Sequence, residues 1–293
     1  MFKFEDIDDK ISYRKYSCVI DNKKNKAEKY INLYVQMTHI CNAKCAFCSN
    51  ACGKEIEKFD KELFFKIFDE LYEKVFINKV SFTGGEPTLN SDLYECIKYV
   101  YDKDPRILIF LDTNASNLKV LENVAPFVRN IALSRHHFLD ELNNEVYGVK
   151  TSTAKMLKEL PPLVKCKINL RCNLIKGFID NAEKCKEYLD WCNDIGISSV
   201  GFVKLMPYTK FAKENFVDVD ITAIPGVLMT KKSVNPGVCF CENYLYVGNK
   251  GNILIYRKET TDHTVNQNTL VLSNNKLLLG FNGKVLYENN NTH

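Results

Sequence analysis

YINLYVQMTHICNAKCAFC, residues Tyr30 to Cys48, is the stretch from which the rest of the chain is read. Its first part, Tyr30 to Gln36, is rich in aromatic and β-branched residues and predicts a strand. The strand runs straight into a loop holding Cys41, Cys45 and Cys48. A C-x3-C-x2-C loop offers three thiolates to a four-iron cube with four corners, so one iron is left open to a small molecule. The same spacing, with His39 beside it, also satisfies a tetrahedral structural zinc site, so the cysteines alone leave two metals open.

Downstream, Val80-Ser81-Phe82 runs into Thr83-Gly84-Gly85-Glu86-Pro87, a strand ending in a glycine pair and a carboxylate. Glycine at 84 and 85 lets backbone approach a ligand closely, and Glu86 can accept from an ammonium group. Between the two stretches, Phe64, Ile67, Phe68, Leu71, Tyr72 and Val75 recur at the spacing of an amphipathic helix. Further on, the periodicity predicts a helix over Leu93 to Tyr101, a strand over Arg106 to Leu111 and a short helix at Leu118 to Val124. Then come a strand at Asn130 to Leu133, a helix around Ser152 to Leu160 and a strand at Val164 to Cys172. A helix at Ala182 to Asn193 and a strand at Ser198 to Val203 follow. Six strands alternating with helices make a parallel sheet that right-handed crossovers curl into a full or partial barrel. Beyond it, Leu245 to Tyr256 and Leu270 to Tyr287 are short β-type runs broken by turn residues, expected as hairpins packed across the open side or bottom of the barrel.

The cysteine loop and the Gly-Gly-Glu-Pro segment, in this order after predicted strands, resemble the radical S-adenosylmethionine (SAM) superfamily. The resemblance implies an α/β fold, a partial (β/α)6 TIM-like barrel over residues 30–207, with an extension at 1–29 and a small β-rich C-terminal extension at 208–293. It implies a [4Fe-4S] cluster on Cys41, Cys45 and Cys48, whose fourth iron is chelated by the amino and carboxylate groups of SAM. Gly84, Gly85 and Glu86 then bind the methionine amino group, and Phe47 packs near the adenine. By position at strand ends, Thr113, Asn114, Ser134 and Arg171 fall where the family holds the ribose and carboxylate of SAM. The segments Gly201 to Tyr208 and Asn173 to Gly177 are similar to the branch that includes the molybdenum-cofactor GTP cyclase. That cyclase has a three-cysteine auxiliary site and a C-terminal glycine pair, whereas this chain has Cys239 and Cys241 only and ends Asn290-Asn291-Thr292-His293. The resemblance therefore covers the barrel and its cofactors, and the chain is expected not to be that cyclase.

In parallel barrels the carboxyl ends of the strands form the mouth where chemistry sits. Lys167, Asn169, Arg171 and Asn173 share one face of the fifth strand, because side chains alternate. A strand covered on both sides reads apolar throughout, so this polar face predicts a ligand-filled lumen lined by Lys167, Asn169 and Arg171, with Cys172 packed outward. His136 and His137 follow the fourth strand at the mouth, where a histidine can orient a substrate carboxylate or phosphate or move a proton near neutral pH. With Arg171 they are the catalytic candidates. Cys185 and Cys192 lie on the apolar face of a helix and Cys96 in a similar one, and these read as core. Cys52 is a bystander, and Cys18 is uninformative. Cys239 and Cys241 are too few for an auxiliary cluster unless Cys18 or another distant thiol joins them; one of them could instead donate a hydrogen atom to a substrate radical, and the plainer reading is structural.

Composition sets limits. At 293 residues and 45% hydrophobic the chain can bury one large core. A net charge of +4, spread along the chain, gives no reason to expect a nucleic-acid partner. No run of about eighteen apolar residues predicts a membrane span. Twelve cysteines without an export signal predict a reducing, cytoplasmic location. The activity that the resemblance implies is reductive cleavage of SAM to a 5'-deoxyadenosyl radical that abstracts hydrogen from a small-molecule or peptide substrate. Such a reaction serves cofactor, natural-product or modified-peptide biosynthesis and needs a low-potential donor of the flavodoxin or ferredoxin type. The alternative is a non-catalytic iron-sulfur protein that senses redox state, with His39 or Cys52 as fourth ligand.

Overall fold

The computed structural model describes residues 2–11, 29–48, 58–228, 243–259, 268–281 and 283–288, so Cys18, Cys52, Cys239 and Cys241 lie outside the described residues. After α1 (Glu5–Asp8) come β1 (Tyr30–Gln36), α2 (Lys61–Lys74), β2 (Phe76–Thr83), α3 (Leu93–Lys103), β3 (Leu108–Thr113), α4 (Leu118–Val124) and β4 (Asn130–Ser134). The chain continues through α5 (Asp140–Tyr147), α6 (Ala154–Glu159), α7 (Pro162–Lys165), β5 (Ile168–Leu174), α8 (Ala182–Ile195), β6 (Ser199–Lys204) and α9 (Lys210–Glu214). The tail adds β7 (Val227–Leu228), β8 (Asn243–Val247), β9 (Ile253–Glu259), β10 (Thr269–Ser273), β11 (Lys276–Leu279) and β12 (Val285–Glu288).

Strands β1 to β6 pair in sequence order and in parallel, which is the partial barrel with its helices outside. The tail differs from a cover laid over this barrel. β10 pairs in parallel with β1, and β9 in parallel with β6, so the tail continues the same sheet at both edges. β11 and β12 then run antiparallel beyond β10, and β8 and β7 antiparallel beyond β9. The reason is hydrogen bonding: without β9 and β10, the outer edges of β1 and β6 present unpaired backbone groups.

Local chemistry sets the elements that carry the site. α2 starts where the Asp60 side chain accepts from Leu63 N–H, and it buries Leu63, Phe64, Ile67, Phe68 and Leu71 on one face. α8 is capped by Asn181 at its start and ends at Gly196, whose φ of 80° is left-handed. Cys185 and Cys192 of α8 are fully buried with Cys172 of β5, and Cys96 is buried in α3, so these four cysteines are core. β5 begins at Ile168 because Pro162 opens the helical turn α7 where a continuous strand from Val164 is expected. α5 has too few apolar residues to show a period, and it is anchored by the buried Asn143 and Tyr147.

Candidate active site

The first two strand ends lie against each other. Met37 N–H donates to Thr83 O (2.9 Å), Gly85 N–H to Thr38 O (2.7 Å) and Glu86 N–H to Ile40 O (2.9 Å). A Cβ on Gly85 would lie 2.1 Å from Ile40 O, and one on Gly84, at φ +147°, 2.5 Å from Thr38 O. The close approach that requires glycine here is therefore to the backbone of the cysteine loop. Whatever the pair does for a ligand, it first joins the two motifs.

Glu86 is buried and fully engaged. Its Oε1 accepts from Thr88 N–H (3.1 Å), Thr88 Oγ1 (2.6 Å) and Thr113 Oγ1 (2.6 Å), and its Oε2 accepts from Asn114 N–H (2.7 Å). Burial pushes the carboxyl up from its ordinary range, while the donors from Asn114, Thr113 and Thr88 pull it back. Asn114 carries the network on to the cysteine loop, its Nδ2 lying 2.9 Å from Asn42 Oδ1. Five of the expected residues, Gly84, Gly85, Glu86, Thr113 and Asn114, thus form one connected brace under Cys41.

Cys41, Cys45 and Cys48 are in no disulfide and are partly exposed. Burial, and then the neighbouring Cys48 and Cys41 thiolates, push the Cys45 thiol up to about 12. Three such thiolates repel one another unless a cation sits among them, which is the electrostatic demand that an iron cluster meets. Among the described residues no three His, Cys, Asp or Glu side chains gather closely enough to hold a single metal ion. A cube takes its thiolates on separate irons, so the donor set fits it without such a gathering. His39 is turned away: its Nδ1 is 3.4 Å from Gln36 Nε2 and its Nε2 is 3.4 Å from Ser273 Oγ.

Phe47 of the loop meets His136 edge-on, ring centroids 5.1 Å apart, and His136 meets Tyr147 at 5.0 Å. Tyr147 closes this side, its hydroxyl donating to Ser134 O (2.7 Å) and its carbonyl accepting from Lys44 N–H (2.7 Å). Asn173 N–H donates to His136 Nδ1 (3.1 Å), which leaves the ring proton on Nε2. Burial, helped by Arg135, holds His136 down to about 3. His137 faces elsewhere, its Nδ1 accepting from Leu139 N–H (3.0 Å) and its ring beside Phe138, and burial with Lys184 and Arg135 holds it down to about 4. Neither imidazole titrates near neutral pH as an exposed loop histidine does. His136 lies with Phe47, whereas His137 does not join the cluster loop.

Deeper in the barrel the inner face is polar. Arg171 Nε donates to Asn169 Oδ1 (3.1 Å), Asn169 Nδ2 to Ser199 Oγ (2.5 Å) and Lys79 Nζ to Tyr34 OH (2.7 Å). Asp112, at the end of β3, is half-buried. Burial pushes its carboxyl up while the charges of Arg171 and Lys79 pull it down, and it has no hydrogen-bond donor among the described residues. Lys167 lies ahead of β5, outside this set.

Sequence reasoning did not single out Asp112, Lys79, Tyr147 or Arg135. Arg135 is buried, donating to His137 O (3.0 Å), Ser152 O (2.7 Å) and Asp140 Oδ1 (2.5 Å) and stacking on Trp191 at 4.9 Å. It fixes the loop that carries both histidines.

A parallel barrel with three loop thiols at the end of its first strand, braced by the end of its second, defines an iron-sulfur enzyme of the SAM-cleaving kind. The model of the Radical SAM superfamily matches residues 35–198, more than half of the chain, and the protein belongs to that superfamily. It is a radical SAM enzyme, and its cofactors are a [4Fe-4S] cluster and SAM. Similar curated proteins include a GTP 3',8-cyclase of Sulfurovum sp. (strain NBC37-1), 29% identical over 59% of this chain and 54% of its own length. Another is that of Clostridium acetobutylicum, 29% identical over 62% of this chain and 58% of its own. The chain thus spans little more than half the length of these relatives. Among solved structures, Streptococcus suis SuiB bound to precursor peptide SuiA is similar in fold, with a TM-score of 0.53 and 22% identity over 64% of this chain and 43% of that one.

Proposed function

We propose that this enzyme abstracts a hydrogen atom from a small molecule or peptide held in the barrel lumen, as a step in cofactor, natural-product or modified-peptide biosynthesis. The observation that carries the reading is Asp112, a half-buried carboxylate at the end of β3 that has no hydrogen-bond donor among the described residues and feels the charges of Arg171 and Lys79. When bound, the cluster and SAM supply the electron transfer and the 5'-deoxyadenosyl radical. Cys41, Cys45 and Cys48 hold the cluster, and the backbone of Gly84 and Gly85 with Glu86 places the methionine end of SAM. Phe47 and the neutral His136 shape the adenine end, with Thr113, Asn114 and Ser134 around the ribose and carboxylate. Arg171 and Asp112 orient the substrate by opposite charges, and His136 offers it an N–H. His137, on the loop that Arg135 fixes, lines the approach to the mouth.

The curated relatives carry the name GTP 3',8-cyclase. Residues 208–293 carry Cys239 and Cys241, and we assign this chain a substrate of its own. The reductant is a low-potential flavodoxin or ferredoxin type protein, and the enzyme works in the cytoplasm without nucleic acid or membrane. No described helix is long and apolar enough to cross a membrane.

Deuterated metabolite and peptide pools test the reading. One pool should pass deuterium into 5'-deoxyadenosine, and Asp112→Asn and Arg171→Met should each lower that transfer at least tenfold while SAM cleavage without substrate persists. Undiminished transfer in both variants would place the substrate elsewhere.

A further inference from the structure

Cys41 has a side-chain contact from outside the cysteine loop. Asn114 Nδ2 lies 3.8 Å from Cys41 Sγ while donating to Asn42 Oδ1 at 2.9 Å. Its carboxamide cannot turn over without loss, because Oδ1 accepts from Ser116 N–H (2.9 Å). Its own N–H is held by Glu86 Oε2 (2.7 Å), and the residue is 8% exposed. The next residue, Ala115, sits at φ 61°, a left-handed conformation that an alanine adopts only when the surroundings impose it. Four constraints thus direct one N–H of Asn114 at the thiol that opens the motif.

We propose that Asn114 is a positioning residue that sets the reduction potential of the cluster through its N–H on Cys41. The inference rests on the cluster assignment above and goes beyond it. Reduction adds negative charge to the cluster and its sulfurs, and a donor aimed at a thiolate stabilises that charge, so it raises the potential. Partial burial strengthens the effect, since protein replaces part of the water around the sulfur. Cys41 also accepts from Ala43 N–H (3.4 Å), a backbone donor that no side-chain substitution removes. Asn114 is an adjustable donor, and Glu86 acts on the cluster through it.

The test compares Asn114→Leu, of similar shape without donor or charge, with Asn114→Asp, which puts a carboxylate where the N–H stood. Each protein is reconstituted anaerobically, shown to hold about four irons per chain, and titrated by EPR at controlled potential without SAM. The reduced-to-oxidised ratio of Asn114→Leu at a fixed poise is expected to fall about tenfold, which is about 59 mV for one electron. Asn114→Asp should fall further. If either variant takes up no cluster, Asn114→Ser, whose hydroxyl is too short to span the contact, should show the same lowered midpoint. Wild-type midpoints in loaded variants would overturn the proposal, even with weakened SAM binding. A wild-type protein without a reducible cluster would instead overturn the cluster assignment itself.

Discussion

His136 is buried and neutral, and that has a consequence for stability against pH. Its folded value of about 3 lies below the ordinary histidine value near 6.5, so between these the unfolded chain binds the proton and the folded one does not. Its contribution is present above pH 6.5 and is lost as pH falls toward 3. Between pH 7 and pH 5 the loss amounts to about 2 kcal/mol. Urea unfolding at both pH values should show that His136→Gln loses about 2 kcal/mol less than the wild type over this interval; equal losses would mean an imidazole open to solvent. At the same scale, Cys45→Ala should abolish iron and sulfide uptake, and full retention would remove the triad from the cluster. The cysteines were legible because thiol spacing has few chemical meanings. Asp112 and Arg135 were not, because an isolated charge in a sequence carries no sign of whether it faces water, a lumen or a helix.

The junction of β1 and β2 argues for function at the level of elements. Gly85 is packed on Ile40 O, so Gly85→Ala drives a Cβ to 2.1 Å from backbone that other bonds hold in place. The strain should cost about 3 kcal/mol and loosen the cysteine loop. We expect a lower thermal midpoint together with faster loss of the cluster to a chelator. A variant as stable and as slow to release iron as the wild type would show that the two motifs do not lean on each other. The helices α2, α3 and α8 were legible from their apolar spacing. α5 was not, since its hold on the fold comes from Asn143 and Tyr147, a polar residue and an aromatic with no period between them. That Asn169 and Arg171 share one face of β5 was legible, because alternation along a strand is a strict rule of its geometry.

Over the whole molecule, the tail belongs to the sheet. Leu270 of β10 is fully buried and paired with Leu33 of β1, so tail and barrel should unfold in one transition. Leu270→Ala should lower the stability of that single transition by about 3 kcal/mol, and two separated transitions would mean that the tail is a unit of its own. Local pattern showed that the tail is β-rich. It could not show that β9 and β10 sit at opposite edges, since edge pairing depends on strands more than two hundred residues apart in the case of β1 and β10. The central claim for the molecule is that this barrel cleaves SAM at a cluster held by three cysteines. Anaerobic protein reconstituted with iron and sulfide, reduced, and given SAM should form 5'-deoxyadenosine, detected by mass spectrometry, and Cys45→Ala should form none. An intact reducible cluster that neither binds SAM nor yields 5'-deoxyadenosine would contradict the account.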